Sequence, residues 1–429
     1  MDVKEAPVEV STEVSVINSI HDLKDGEKFL SCIQCGTCTG ICPFGLWMDY
    51  TPRRMISAIR WGEFDQVLET ETVWMCVSCY ACTNNCPQEL PLTDNLMARA
   101  KEELLLAGNV PEELQIALEN SQRYGNPMGE SPRKRAEWTK DLKPPVAVMG
   151  KEKTEVDVLW YVGDYPSYHP RAQQTAIALK KVLDALKIDY AILGPDEVSD
   201  GDSQRLAGEY GLFEYLAEKN AKALDKYKFK IMVTTDPHAY NAIKNEYPNL
   251  GFNYPILHFT EFLAERIKAV KKLLKKEINA RVTYHDPCYL GRVNDIYEQP
   301  RQLIGAIPGV ELVEMSHSRS NSLCCGGGGG GMWLDGFQWD IAENRLSDWR
   351  THEAVLARPV EDFVSVIKTL DGKKRSKKKA AEEPDMKILA VACPYEKPRF
   401  EDATKTVEGA GNILVKDIAE LLAESMGVL

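Results

Sequence analysis

Apolar and polar residues follow different patterns in the two parts of the chain. From residue 156 onward, short runs rich in Val, Ile and Leu are separated by longer amphipathic segments. Such runs are typical of buried strands, and strands that alternate with helices form a parallel sheet with crossover helices. The predicted strands lie at 156–162, 190–193, 230–234, 280–284, 311–313 and 387–392, and the predicted helices lie near 173–186, 203–226 and 417–426.

The earlier part of the chain shows helical spacing only. Pro52 precedes the apolar positions Met55, Ile56 and Ile59, a pattern that predicts a short helix. A second helix is predicted over 90–106. Residues 1–24 are polar and predict a flexible arm. The Pro, Gly and charged residues of 108–152 predict a linker that packs on the surface.

Composition narrows the class of protein. The chain has 429 residues, 44% of them hydrophobic, and a formal net charge of -12. This length predicts two or three domains, and the acidic balance argues against nucleic acid as a partner. No apolar run predicts a transmembrane helix and no early segment predicts a signal peptide, so we expect a cytoplasmic protein that reaches the inner membrane face only through a partner. A basic run at 372–379 predicts a solvated loop or, alternatively, a docking patch for an acidic partner.

Most of the 12 cysteines lie in two runs with the same spacing. Each run has three cysteines at intervals of three residues and a fourth that precedes a proline. This is the spacing of bacterial ferredoxins that hold two [4Fe–4S] clusters. The first run contains Cys32, Cys35, Cys38 and Cys42, and the second contains Cys76, Cys79, Cys82 and Cys86.

In such ferredoxins the fourth cysteine of each run binds the other cluster. The first cysteine set is therefore Cys32, Cys35, Cys38 and Cys86, and the second cysteine set is Cys76, Cys79, Cys82 and Cys42. Zinc is the alternative metal because it also binds thiolates. Zinc sites use cysteines as two pairs, however, whereas these runs provide three close cysteines and a distant fourth. We therefore expect a helical, ferredoxin-like domain at 25–107 with two [4Fe–4S] clusters.

The remaining cysteines follow predicted strands in the second half and form the third cysteine set: Cys288, Cys324, Cys325 and Cys393. Cys325 is followed by the glycine run Gly326 to Gly331. Glycine lets the backbone approach a bulky inorganic group, and the N–H groups of such a run can point at sulfide. The alternative is a flexible loop with buried cysteines that act as small apolar side chains. We expect a third metal centre here.

These motifs resemble the cysteine-rich CCG domains of heterodisulfide reductase. The family pattern is a cysteine, then Cys-Cys-Gly, then Cys-Pro-x-Cys, and the ferredoxin-like part resembles another subunit of the same enzyme. Together they resemble the fused, D-subunit arrangement from about residue 25 to 427. The resemblance implies an unusual [4Fe–4S] centre at the third cysteine set. Glu396 stands where the last family cysteine would be, and a standard cubane is the simpler expectation. Its carboxylate could be a further ligand or could leave one iron open.

A degenerate CCG repeat precedes the cluster-binding CCG repeat in the sequence. Asp164 stands for the first cysteine, Ser199-Asp200-Gly201 for Cys-Cys-Gly, and Asp236-Pro237-His238 for the last motif. We expect these aspartates to be solvated at the surface and the repeat to be a scaffold. Carboxylates also suit a hard cation such as magnesium, which is the alternative.

Two polar residues lie shortly before Cys288, separated from it by Pro287. His285 or Asp286 could hydrogen-bond near the third centre and tune its potential, and His285 could carry a proton to a thiolate product. The alternative for His285 is a histidine whose hydrogen bonds are satisfied within the protein at a strand end.

The sequence thus predicts an α+β multidomain protein. Its predicted parts are an arm at 1–24, the ferredoxin-like domain at 25–107, a linker at 108–152, the degenerate CCG repeat at 153–270, and the cluster-binding CCG repeat at 271–429 with a basic insertion at 372–386.

We expect an electron-transfer subunit that passes electrons through two clusters to the third centre, as a relay or for disulfide reduction. The family resemblance implies a flavoprotein or a membrane quinone-reactive subunit as partner. One alternative is the iron–sulfur subunit of a flavin-dependent glycolate or lactate oxidase. The other is a scaffold with structural zinc at the third cysteine set.

Overall fold

The computed structural model describes residues 17–45, 47–315, 317–334, 386–406 and 412–429. In the front part of the described chain all regular elements are helical. The α-helices are α1 Thr37–Gly40, α2 Pro52–Trp61, α3 Asp65–Leu68, α4 Ala81–Asn84, α5 Ala98–Leu106 and α6 Glu112–Tyr124, and a π-helical turn, Leu92–Met97, leads directly into α5.

The predicted helix between the two cysteine runs is α2. Pro52 occupies its first turn, where no N–H is required, and Gly62 ends it in a left-handed conformation with φ of 73°. Met55, Ile56 and Ile59 are buried on one face. This face packs in a separate apolar cluster that includes or contacts seven of the eight N-terminal cysteines, all but Cys35.

The first α/β half contains four strands and the helices between them. The strands are β1 Glu155–Tyr161, β2 Tyr190–Ile192, β3 Lys228–Thr234 and β4 Ile256–His258. The helices are α7 Asp164–Tyr168, α8 Pro170–Ala185, α9 Asp202–Leu206, α10 Tyr210–Leu224, α11 Pro237–Asn241, α12 Phe259–Glu265 and α13 Ile267–Leu273.

The second half repeats this plan. Its strands are β5 Ala280–Tyr284, β6 Val310–Leu312, β7 Met386–Val391 and β8 Ile413–Asp417, and its described helices are α14 Glu298–Ile304, α15 Glu396–Thr406 and α16 Ile418–Met426. Strands β4 and β8 are short edge strands that the sequence pattern did not predict.

Both sheets are parallel and share one topology, with strand orders β2-β1-β3-β4 and β6-β5-β7-β8. In such sheets ligands bind beyond the carboxyl ends of the strands, where the strand order reverses. That point lies between β1 and β3 in the first half and between β5 and β7 in the second. A continuous apolar core joins the two halves. The predicted mixed α/β architecture with a duplicated region is confirmed, whereas a ferredoxin-like fold for 25–107 stays a prediction.

Residues 108–152 do not form the surface linker that their composition predicts. Arg135 is 2% exposed, and Trp138, Val146 and Val148 belong to the core of the first half. Val148 also pairs in parallel with Ile192 of β2. The later part of the segment therefore belongs to the first α/β half, whereas Leu114 packs in the apolar cluster of the front domain. The basic run at 372–379 lies outside the described residues.

Candidate metal centres

The two N-terminal cysteine runs have the same backbone conformation. Gln34 and Gly36 of the first run have φ of 56° and 85°, and Ser78 and Tyr80 of the second have φ of 51° and 60°. The left-handed region is costly for residues other than glycine and is found mainly where function requires it. A one-turn helix, α1 or α4, follows each loop. Each loop thereby curls around its own cavity.

Each cavity is lined by three cysteines of one run and the fourth cysteine of the other. Cys32, Cys35, Cys38 and Cys86 line one cavity, and Cys42, Cys76, Cys79 and Cys82 line the other. The structure therefore brings together the first and the second cysteine sets as the sequence groups them. Binding of a cluster by each set remains a prediction.

The two sets differ in depth. Cys35 is exposed, and its hydrogen bond with Thr37 lowers its thiol pKa. In the second set, burial raises the pKa of Cys76 and Cys42 and brings that of Cys82 to about 12. A bound metal would reverse this effect, because a coordinating thiol is deprotonated. Cys35 of the first set is therefore open to solvent, whereas no cysteine of the second set is exposed.

The third cysteine set lies beyond the carboxyl ends of β5 and β7, directly beside the second set. The Cys324 thiol hydrogen-bonds with those of Cys288, Cys325 and Cys79, and the Cys288 contact is the main reason that its pKa falls to about 7. The backbone N–H of Gly326 also donates to Cys324 Sγ at 3.3 Å. Cys393 is buried, which raises its pKa. Cys79 and Cys324 thus connect the front domain to the second α/β half.

The glycine run packs against the front domain. A Cβ on Gly328 would lie 2.7 Å from the carbonyl oxygen of Val77, and one on Gly329 would lie 2.8 Å from that of Cys76. Such distances exclude any side chain at these positions. The run therefore lets the third site approach the second, a contact between domains that the sequence pattern could not predict.

His285 and Glu396 form a buried pair next to the third cysteine set. His285 Nε2 lies 3.3 Å from Glu396 Oε1, and the two side chains are 4% and 2% exposed. Burial by itself would lower the pKa of His285. Its interaction with the Glu396 carboxylate raises that pKa, and the net result lies above the ordinary value for histidine. Burial likewise raises the pKa of Glu396. The second carboxylate oxygen, Glu396 Oε2, is buried without a hydrogen-bond partner among the described residues.

Asp286 has a structural partner and does not face the cysteines. Arg301 donates to both of its carboxylate oxygens at 2.6 and 2.8 Å, and the backbone N–H of Arg319 donates at 2.7 Å. Asp286 therefore holds α14 and the segment that precedes Cys324 against the end of β5.

The aspartates of the degenerate repeat are buried, so the expectation that they are solvated is wrong. Asp164, Asp200 and Asp236 are 3%, 5% and 0% exposed. Arg135, from the segment that precedes β1, forms ion pairs with Asp164 and with Glu197. Arg135 thus lies at this end of the first α/β half, and the segment that carries Arg135 covers the carboxylates.

In the described part of the chain, neither Asp200 nor Asp236 forms an ion pair with a lysine or arginine. Burial raises the pKa of Asp236 to about 6 and that of Asp200 well above its ordinary value. His238 Nδ1 lies 2.7 Å from the neighbouring Asp202. Among the described residues no group of three His, Cys, Asp or Glu side chains is arranged to hold a single metal ion.

Two cations at the junction, the buried Lys101 and the half-buried Arg292, escaped the sequence analysis. Lys101 Nζ donates to the carbonyl oxygens of Cys76, Leu206 and Gly329 at 2.7, 3.1 and 2.9 Å. Arg292 donates to the carbonyl oxygens of Cys79, Ser320 and Ser322 at 2.8, 2.9 and 2.7 Å. Single basic residues carry no spacing signal; the only indication was that Arg292 follows Cys288 by four positions.

The residues present fit iron–sulfur clusters. Each of three sites offers four thiols, which are soft ligands suited to iron–sulfur chemistry. At the third site two buried polar atoms have no partner in the described structure: Glu396 Oε2 could bind iron, and Arg292 Nη2 could donate to sulfur. The fold and these sites define an iron–sulfur protein with a helical two-site front domain and a duplicated α/β region.

Comparisons with known proteins agree with this class. Residues 31–91 match the family described as 4Fe-4S dicluster domain, and residues 158–244 and 282–358 match the family described as Cysteine-rich domain. The predicted [4Fe–4S] cofactors are thereby confirmed, and so is the resemblance to CCG-domain oxidoreductases. No solved structure matches the chain significantly.

Curated relatives fall into two groups. The chain is 35% identical to the probable iron-sulfur-binding oxidoreductase FadF of Bacillus subtilis and 30% identical to the EtfAB:quinone oxidoreductase of Syntrophomonas wolfei, in each case over 84% of this chain and 47% of the relative. It is 28% identical to the D-subunit of the dihydromethanophenazine:CoB–CoM heterodisulfide reductase of Methanosarcina barkeri, over 93% of this chain and 94% of the relative. The chain therefore spans about half the length of the first group and nearly all of the second.

No helix in the described part of the chain is long and apolar enough to cross a membrane.

Proposed function

We propose that this chain is the electron-transfer iron–sulfur subunit of a redox complex and that its three cysteine sets hold centres that act in series. The hydrogen bond between Cys79 and Cys324 carries this proposal, because it joins the second set to the third. Electron transfer needs short distances between centres. Thiol contact between two ligand sets supplies such a distance without any further cofactor.

The exposure of the sites indicates which end of the series of centres a partner can reach. The first cysteine set contains the exposed Cys35 and is the end that a partner can reach. The second set is deeper and lies between the other two. Electrons would exchange with a partner at the first cluster, cross the second and reach the third centre.

At the third centre we propose Cys288, Cys324, Cys325 and Cys393 as ligands, with Glu396 as a further ligand to iron. Three of these four cysteines are buried and only Cys325 is partly exposed. This arrangement favours a relay over direct attack on a substrate disulfide. If a disulfide is reduced here, it takes up two electrons and two protons, and the His285–Glu396 pair is the nearest group that could hold a proton.

The proposed partners are a flavoprotein and a membrane quinone-reactive subunit. Relatives that this chain half covers include one named EtfAB:quinone oxidoreductase and one named probable membrane-anchored ferredoxin, from Chromohalobacter salexigens. Such names support a route between a flavoprotein and a membrane acceptor. The fully covered relatives are named as subunits of heterodisulfide reductase, which supports membership of a complex.

Metal analysis of anaerobically purified protein tests the proposal. Three cubanes predict about twelve irons and about twelve acid-labile sulfides per chain, and stepwise reduction should produce three EPR signals. Eight irons and one zinc per chain would instead identify the third cysteine set as a structural zinc site and refute the series of three centres. Addition of thiol or disulfide then separates the two roles: a third signal that responds supports disulfide chemistry, and one that does not respond supports the relay.

A further inference from the structure

Lys101 and Arg292 make similar hydrogen bonds to the second cysteine set. Each donates to the backbone carbonyl of one cysteine of that set, Cys76 for Lys101 and Cys79 for Arg292. Each also donates to the segment 320–329, which carries Cys324 and Cys325. Both cations therefore join the second site to the third.

Neither cation has a carboxylate partner among the described residues. Lys101 is fully buried and all three of its hydrogen bonds go to neutral carbonyl groups. The Nη2 atom of Arg292 is buried and has no hydrogen-bond acceptor among the described residues. Other buried cations of this chain differ, since Arg135 pairs with Asp164 and Lys180 pairs with Asp184.

A buried charge without an opposite charge is strongly unfavourable, so a counter-charge is expected nearby. The groups that interact with these cations include candidate cluster ligands: Cys76 for Lys101, and Cys79, Cys288 and Cys324 for Arg292. As ligands of a cluster these cysteines would be thiolates. A [4Fe–4S] cluster with four thiolate ligands carries net negative charge, and reduction makes it more negative. Net charge and hydrogen bonds are among the factors that set its reduction potential.

We propose that Lys101 and Arg292 are positioning residues that act as the counter-cations of the second cluster and raise its reduction potential above that of the first; this inference rests on the proposed function. Buried cations stabilise the more negative, reduced state. Near the first site the corresponding cation is Arg60, which donates to the carbonyl oxygen of Cys32 at 3.0 Å, and Arg53 lines the cavity. Both arginines are exposed, so solvent screens their charges. Electrons would therefore collect at the second cluster, beside Cys324. Arg292 also acts on the third centre, through Cys288 and Cys324.

The test is an EPR-monitored redox titration of anaerobic full-length protein, wild type against Lys101→Met and Arg292→Gln, with iron counted in each. Each substitution should lower the ratio of reduced to oxidised second cluster about tenfold or more at a fixed potential, which corresponds to 59 mV for one electron. The first cluster should stay unchanged, and only Arg292→Gln should also shift the third centre. Lys180→Met is the matched control, since it removes a buried lysine that has its own carboxylate, and it should shift no potential.

An unchanged second-cluster potential in both variants, with iron content retained, would overturn the proposal. If the neutral variants lose the second cluster, the variants Lys101→Arg and Arg292→Lys distinguish an effect of charge from an effect of packing. Retention of the cluster in these charge-preserving variants supports a requirement for positive charge, and its loss in them shows that packing explains the effect and overturns the proposal. A wild-type count of eight irons refutes the series of three centres instead, and the second-cluster titration still tests the two cations.

Discussion

The thiols of Cys79 and Cys324 hydrogen-bond to each other across the boundary between the front domain and the second α/β half. One belongs to the second cysteine set and the other to the third. The contact is possible because Gly328 and Gly329 have no side chains where the backbone meets Val77 and Cys76. The two cysteines therefore place two candidate metal sites in direct succession.

Replacing Cys324 by serine should remove the third centre and spare the other two. A hydroxyl is a harder and poorer ligand for iron–sulfur clusters than a thiolate. We expect about eight irons per chain in place of about twelve, with the two remaining EPR signals unchanged. Asn321→Ser, at an exposed position of the same segment, is the control and should retain all iron. Loss of the second-cluster signal in Cys324→Ser would show that the two sites do not assemble independently.

The cavities predict which cluster each fourth cysteine serves. Cys42→Ser should perturb the buried second cluster, because Cys42 lines the cavity of Cys76, Cys79 and Cys82. Cys86→Ser should perturb the first cluster, which its cavity shares with the exposed Cys35. EPR spectra of the two variants, compared with wild type, identify the changed signal. Since the first set contains the exposed Cys35, a paramagnetic relaxation agent in solution should broaden the first-cluster signal most. The opposite assignment would mean that each run binds a cluster with its own four cysteines.

Glu396 should contact the third centre through its unpartnered oxygen. Glu396→Cys restores a thiol at the position of the last family cysteine and should shift the third EPR signal, because it exchanges a carboxylate for a softer ligand. Glu396→Gln keeps the shape, removes the charge and should shift the signal less. Glu401→Gln, on the same helix at a partly exposed position, is the control. An unchanged third signal in Glu396→Cys would place this residue outside the ligand shell.

Arg135→Met should destabilise the first α/β half strongly. The substitution leaves Asp164 and Glu197 buried without a cation, and breaking a buried ion pair in this way costs about 3–5 kcal/mol. Chemical denaturation followed by far-UV circular dichroism measures the loss in free energy of unfolding. Arg133→Met removes an exposed arginine two positions earlier and should change stability by less than about 0.5 kcal/mol. Equal stability of the two variants would contradict a structural role for the Arg135 ion pairs.

Much of the candidate chemistry could be predicted from local spacing. The two cysteine runs identified cluster ligands because a cubane needs thiols at short, regular intervals, and this requirement is written in consecutive residues. Short apolar runs likewise identified six strands, β1, β2, β3, β5, β6 and β7, because a buried strand is encoded in consecutive residues. The match between Asp164, Asp200, Asp236 and the CCG motif identified the duplication.

Contacts between distant segments were decided by the tertiary structure. The aspartates looked solvated in the sequence, yet Arg135 reaches them from a segment that composition marked as a linker. Likewise the contact of Cys79 with Cys324, and the positions of Lys101 and Arg292, depend on how the front domain packs against the glycine run. The sequence alone therefore determined which groups can bind metal, and the fold decided which of them meet. The physical reason is that ligand chemistry belongs to each side chain, whereas burial and pairing arise only when remote parts of the chain share one core.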